Sequence, residues 1–396
     1  MSYDFATWLA LALRWFHLTA GVAWIGASFY FVWLDNNLAV PSKNAPEGVK
    51  GELWAVHGGG FYHSQKYLNA PPQMPDHLHW FKWEAYTTWL SGFALLAVLY
   101  YWGAPVYLID RARLDLTHWG AVLTGLAFIL GGLAVYEGLC RSPIGARPKL
   151  FGLAWFAALT VAGYALTRIF SDRGAFIHVG AIIGTVMVGN VFLIIIPNQT
   201  RIVKDMLAGR AVDPRLGAMG KQRSVHNNYM TLPVLFIMIS NHYPIVTGHP
   251  LAWLLLAMLS AAGVAIRQFF TRRDYGEFRH EYLFAAFVLF YMTAVVATEV
   301  HPATAVAASN VTFKDAQAIV GRHCLACHSA KPTHRGFVAP PNGVAYDTPQ
   351  AIVQFAPKIY ERAVATHSMP LGNETGMTDQ ERADLGAWIK AGAKPL

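Results

Sequence analysis

Cys324-Leu325-Ala326-Cys327-His328 puts two thiols three residues apart and an imidazole directly after the second. This is the pattern of covalent c-type haem attachment, in which both cysteines bond the haem vinyl groups and the histidine takes one face of the iron. A redox or metal-binding CxxC is the competing reading, and it leaves the adjacent histidine without a role. Downstream, Ser368-Met369-Pro370-Leu371-Gly372-Asn373 offers a loop methionine for the opposite face. Cys324 and Cys327 are therefore expected to hold haem c, with His328 and Met369 as its axial ligands. His/Met ligation raises the haem potential and suits an electron acceptor. Everything upstream must then be read as a device that delivers electrons here.

Working outward from the motif, helices are predicted near 313–323, 348–365 and 379–391. The last opens on Thr378-Asp379-Gln380-Glu381, a capping box. Residues 312–396 read as a small soluble c-type cytochrome domain. A unit this size buries little surface by itself, so the haem would supply much of its core. Residues 302–311 are small and Ala-rich, as in a short linker, and 1–301 form a separate domain.

The composition of that larger part points to a bilayer. Hydrophobic residues make up 54% of the chain and charged residues 14%, against about 25% charge in a typical soluble domain. Eight apolar segments are long enough to span about 30 Å of hydrocarbon, near 5–34, 81–108, 116–139, 149–170, 174–197, 224–243, 249–271 and 280–301. The fold class expected is all-α: an eight-helix transmembrane bundle with the cytochrome at its C-terminus. The first segment lacks a basic leader and is interrupted by Arg14 and His17, so it reads as a retained helix rather than a signal peptide. Loops after segments one, three, five and seven carry 17 Lys and Arg, those after two, four and six only Arg111, Arg113, Arg168 and Arg173. The positive-inside rule makes the first set cytoplasmic and turns both termini outward. In a bacterial inner membrane this places the cytochrome in the periplasm, where c-type haem is attached. The net charge of +8 follows from this topology and does not call for nucleic acid as a partner.

Ionisable residues inside spans are costly and mark function. His17 lies near mid-membrane, three residues from Arg14 on the same helix face. His118 and His178 open segments three and five in the outer half. A pair of these histidines can clamp a b-type haem between helices; the bland alternative is that the small residues nearby merely pack helices. Polar groups also gather at the inner side: Gln199 and Arg201 after segment five, Arg223, His226, Asn227 and Asn228 at the start of segment six, and Glu84 at the start of segment two. Amides and arginines suit a planar, anionic heterocycle, with His226 or Glu84 as proton acceptor. Helix capping and interfacial snorkelling are the competing explanation for each. Two pairs in the loop 35–80, His57/His63 and His77/His79, are also weak zinc candidates.

Arg14-Trp15-Phe16-His17-Leu18-Thr19-Ala20-Gly21-Val22-Ala23-Trp24-Ile25-Gly26, followed by Asp35-Asn36-Asn37, resembles the membrane-bound cytochrome c urate hydroxylases of bacterial purine catabolism. His57-Gly58-Gly59-Gly60-Phe61-Tyr62, Val225-His226-Asn227-Asn228-Tyr229 and the fused C-terminal cytochrome are similar to the same family. The resemblance covers nearly the whole chain. It implies oxidation of urate to 5-hydroxyisourate with water as the oxygen source. Electrons would pass through haem to the cytochrome, then to a downstream cytochrome c or terminal oxidase of the respiratory chain. Segment one also resembles, over a shorter stretch, the haem-binding membrane protoporphyrinogen oxidases, whose first-helix histidine matches His17. Neither resemblance assigns urate-binding residues. The rival functions are a dehydrogenase of quinol or another small molecule, and a non-catalytic electron-transfer subunit.

Overall fold

The computed structural model describes residues 5–67, 71, 74–298, 311–334 and 336–395. Eight long helices carry the first three-quarters of the chain. They are α1 (Phe5–Asn36), α2 (Trp83–Leu96), α3 (His118–Arg141), α4 (Pro148–Ile169), α5 (Asp172–Gly189), α6 (Pro214–Ser240), α7 (Ala252–Asp274) and α8 (Glu281–Thr298). Among the described residues six helices are long and apolar enough to cross a membrane: α1, α3, α4, α5 with its continuation to Leu207, α7 and α8. The other two predicted spans are helical but fall outside that set. α2 has 14 residues and loosens into a π-turn, Ala97–Trp102. α6 begins among Arg215, Lys221 and Arg223 and carries Pro233 inside.

Local chemistry sets the helix ends. Thr117 and Ser171 accept the backbone N–H groups of Gly120 and Gly174, capping α3 and α5. The buried core runs through Tyr136 of α3, Phe176, Ile182 and Val186 of α5, and Ile237 of α6.

The all-α expectation needs one correction. Val49–His57 (β1) and Gly60–Tyr67 (β2) form an antiparallel hairpin in the region read as a long loop. Gly58 and Gly59 turn it, at φ of 58° and 80°. Two successive left-handed residues are what a two-residue hairpin turn requires, and glycine adopts them without strain. Trp54 stacks on His63 across the pair, 4.1 Å apart. His63 also bonds Glu52 at 3.0 Å, which leaves the zinc reading of that histidine without support.

The C-terminal helices are α9 (Phe313–His323), α10 (Pro349–Gln354) and α11 (Asp379–Lys390). α9 and α11 match the predicted spans and both open on capping boxes, Thr312/Asp315 and Thr378/Glu381. The predicted helix 348–365 is broken: α10 stops at Gln354, and Ala356–Ile359 resumes before a π-turn over Tyr360–Ala365. Pro357 has no N–H to give the Val353 carbonyl, so one helix cannot run through it, and it sits instead in the first turn of the resumed piece. Phe313, Ile319, Val320, Leu385 and Trp388 form their common core. The predicted linker lies outside the described residues except for Val311. Close approaches join the two parts of the chain. A Cβ on Gly372 would sit 2.4 Å from the Ile109 carbonyl oxygen, and one on Gly248 2.4 Å from that of Thr366.

Candidate functional site

The CxxCH turn grows directly out of α9. The Cys324 N–H still donates to Val320 (2.9 Å) and the His328 N–H to the Cys324 carbonyl (2.8 Å), so both thiols and the imidazole are held by one helical turn. His328 Nδ1 bonds the Val344 carbonyl at 2.9 Å. This fixes the ring and leaves Nε2 free to meet a ligand, as a carbonyl partner does for histidines that bind metals. The Met369 N–H donates to the Arg362 carbonyl (2.9 Å), and its own carbonyl accepts Arg382 Nη1 (2.7 Å). Met377, the other methionine nearby, is 3% exposed and packed in the core of the C-terminal helices. Burial pushes the Cys324 thiol up to about 12, with Cys327 adding to the effect. Burial also raises the Cys327 thiol, with the Glu374 carboxylate adding to it.

Cys324, Cys327, His328 and Met369 all line one cavity of about 1210 Å³ that continues between the N-terminal helices. Ligand sites are ordinarily about 300–1,000 Å³, so this volume is generous for a single macrocycle. Its inner half is walled by His17 and Gly21 of α1, Gly92 of α2, and Gly180, Ala181 and Gly184 of α5. The small residues give flat walls. His17 Nδ1 bonds the Thr88 carbonyl (2.9 Å) and Ser91 Oγ (3.1 Å), which again leaves Nε2 for a ligand. Gly92 is required there, since a Cβ would lie 2.8 Å from the imidazole Cε1. Arg14 and Arg173 line the stretch between His17 and the CxxCH turn. The donor set and shape therefore fit haem at both ends.

The structure does not bring the other two histidines to this cavity. His178 is fully buried on the opposite face of α5, with Nδ1 on the Gly174 carbonyl (2.8 Å) and Nε2 near the Tyr101 hydroxyl (3.3 Å). A Cβ on Gly125 of α3 would touch that Nε2. His118 sits half-buried in the first turn of α3, its ring 5.5 Å from Trp119. Met238 of α6 and His242, in the turn just after α6, also line the cavity.

The inner polar residues divide into two groups. Arg223, His226 and Asn227 join a buried network that the sequence reading missed in part. Arg223 makes a two-pronged bond to Glu137 (2.6 and 3.1 Å) and donates to Asn190 Oδ1 (2.9 Å). Asn190 Nδ2 reaches the Tyr136 hydroxyl (2.9 Å) and Asn227 Oδ1 (2.8 Å). Tyr136 meets His226 Nδ1 at 2.8 Å, and His226 stacks on Phe151 at 4.2 Å. Glu137 lies near the end of α3 and Asn190 directly follows α5, and a carboxylate within a predicted span was the available signal. Gln199 and Arg201 are exposed, the latter 3.8 Å from Asp205. Glu84 and Asn228 keep buried side-chain atoms without a partner.

Fold and cavity define a mostly helical protein, with six helices among the described residues long and apolar enough to cross a bilayer, built around an internal ligand-sized chamber. It belongs to the urate oxidase N-terminal family, which matches residues 3–298. Membership associates the chain with urate oxidation. No curated protein and no solved structure matches it.

Proposed function

We propose that the protein is a membrane urate hydroxylase that passes electrons outward to its own c-type cytochrome. The reaction is urate plus water to 5-hydroxyisourate, two protons and two electrons. The observation that carries this reading is the single cavity with His17 at one end and Cys324, Cys327, His328 and Met369 at the other. Haem b on His17 and haem c on the CxxCH turn would supply two one-electron acceptors for the two electrons that urate loses. The chain's own part is to hold them in line. The Thr88 carbonyl orients His17, the Val344 carbonyl orients His328, and Arg14 and Arg173 lie where haem carboxylates need cations.

The contacts between the two parts of the chain support an orientation as well. The C-terminal helices touch Ile109 and Gly248, in the loops after α2 and α6, which the basic-residue asymmetry turns outward. A bacterial inner membrane with both termini and the cytochrome on the periplasmic side accommodates this. Urate then enters from the cytoplasmic face, and the c haem hands electrons to a downstream cytochrome c or terminal oxidase.

Anaerobic addition of urate to the purified, oxidised protein tests the proposal. Reduction of both b- and c-type absorption bands is expected, with 5-hydroxyisourate formed in amounts matching half the electrons accepted. Reduction by a quinol and not by urate would overturn it.

A further inference from the structure

Glu84 Oε2, Asn228 Nδ2, and Nε and Nη2 of Arg267 are buried atoms with no hydrogen-bond partner among the described residues, although the Glu84 side chain as a whole is 26% exposed. Bare buried donors and acceptors are costly, and in a native protein each calls for a partner. The three come from α2, α6 and α7, yet packing sets them at one depth. Ala85, beside Glu84, packs on Val188 of α5. Asn190, half a turn on, bonds Asn227, beside Asn228. Tyr229, on the other side of Asn228, bonds Gln268, beside Arg267. One turn away along the same antiparallel pair, Gly263 of α7 lies against Leu232 of α6.

This layer abuts the inner end of the large cavity, because Trp24 both lines the cavity and packs on Ala85 and Val188. Arg267 is 6% exposed and Asn228 2%. Phe29 of α1 covers the guanidinium, with its ring centroid 4.8 Å from Cζ. Arg267 also differs from the arginines that the sequence singled out. Arg223 is taken up by Glu137, and Arg201 is exposed beside Asp205. Arg267 has no carboxylate within ion-pair distance among the described residues.

We propose that Arg267, with Asn228 and Glu84, forms the recognition site for the anionic edge of urate, a proposal that rests on the urate reading above. The guanidinium offers two N–H groups from one planar fork to adjacent acceptors of a planar anion. Asn228 adds a donor for a ring carbonyl, and Glu84 Oε2 accepts a ring N–H. A heterocycle carrying both acceptors and N–H donors meets every bare atom of the layer. A simple inorganic anion leaves Glu84 unmatched and repels it.

The test uses the full-length holoprotein, reduced beforehand with dithionite so that no turnover occurs, in equilibrium dialysis with radiolabelled urate. Arg267→Gln is expected to weaken binding about tenfold to a hundredfold, as for loss of a charge-assisted hydrogen bond. Arg267→Lys keeps the charge without the fork and should restore part of it. Asn228→Ala should cost about tenfold and stands in if the arginine variants do not fold. Arg210→Gln, on the exposed surface, should bind as wild type. Unchanged haem spectra report an intact fold. Wild-type affinity in Arg267→Gln and Asn228→Ala overturns the site and leaves the urate function standing. A wild-type protein that binds no urate overturns both.

Discussion

At the scale of single residues, Met369 and Met377 are near in sequence and differ in place: one lines the cavity with the CxxCH turn, the other is buried in the core. Met369→Ala should abolish the weak near-infrared Met–iron band and lower the c-haem potential, with the unfolding midpoint little changed. Met377→Ala should keep the band and cost about 2–5 kcal/mol of stability, as for other large-to-small core changes. Loss of the band in Met377→Ala alone would reverse the assignment. Glu137 has a comparable position in the N-terminal helices. Removing its carboxylate leaves Arg223, whose side chain is 4% exposed, as an unpaired buried charge, at a cost of about 3–5 kcal/mol. Glu137→Ala should therefore lower the melting temperature, and Glu137→Leu combined with Arg223→Met should recover most of it. A loss no larger than that of a surface substitution would show that the pair is not what orders this layer.

At the scale of elements, one helix start and one helix crossing can be tested separately. In the α11 capping box, burial works against the Glu381 charge. The backbone N–H of Thr378 and the side chains of His323 and Arg322 outweigh it and hold the carboxyl at about 2. Its folded pKa lies below its ordinary value of 4.5. Its contribution is thus fully present above that ordinary value and is lost as pH falls towards about 2. Acid titration of the wild type should show the C-terminal helices weakening between those limits, and Glu381→Gln should flatten that slope. The crossing is that of α1 and α2 at Gly92. Gly92→Ala pushes a methyl into the His17 ring and should shift or abolish a b-type spectrum while the c-type bands remain. An unaltered b-type spectrum would remove His17 from the cofactor site.

On the scale of the whole molecule, the C-terminal helices are packed against the N-terminal ones and share their cavity. Gly372, at φ of 54°, sits against the Ile109 carbonyl, where any side chain meets both a strained backbone and a steric block. Gly372→Val should slow electron transfer from b to c haem by tenfold or more in stopped-flow traces and leave both spectra intact. Equal rates would mean that the cytochrome works as a tethered shuttle and not as a docked relay. A pyridine haemochrome assay on the wild type should find both b and c haem, and full urate turnover with c haem alone would refute the relay.

Much of this was legible in sequence because it depends on local chemistry. The CxxCH turn, the capping boxes at Thr312 and Thr378, and the apolar runs of α3, α4, α5 and α8 are set by neighbours within a few residues. The hairpin had a local signal too, Gly58-Gly59 between two strand-length runs. What tertiary structure alone decided is which polar groups are already spoken for. Arg223 looked free until Glu137, 86 residues away, was seen against it. His178 looked like a ligand until α5 turned it towards Gly125, and only the packing of α7 shows Arg267 buried under Phe29. Sequence spacing states what a side chain can bond, whereas its partner across the bundle depends on how helices far apart in the chain are rotated and packed.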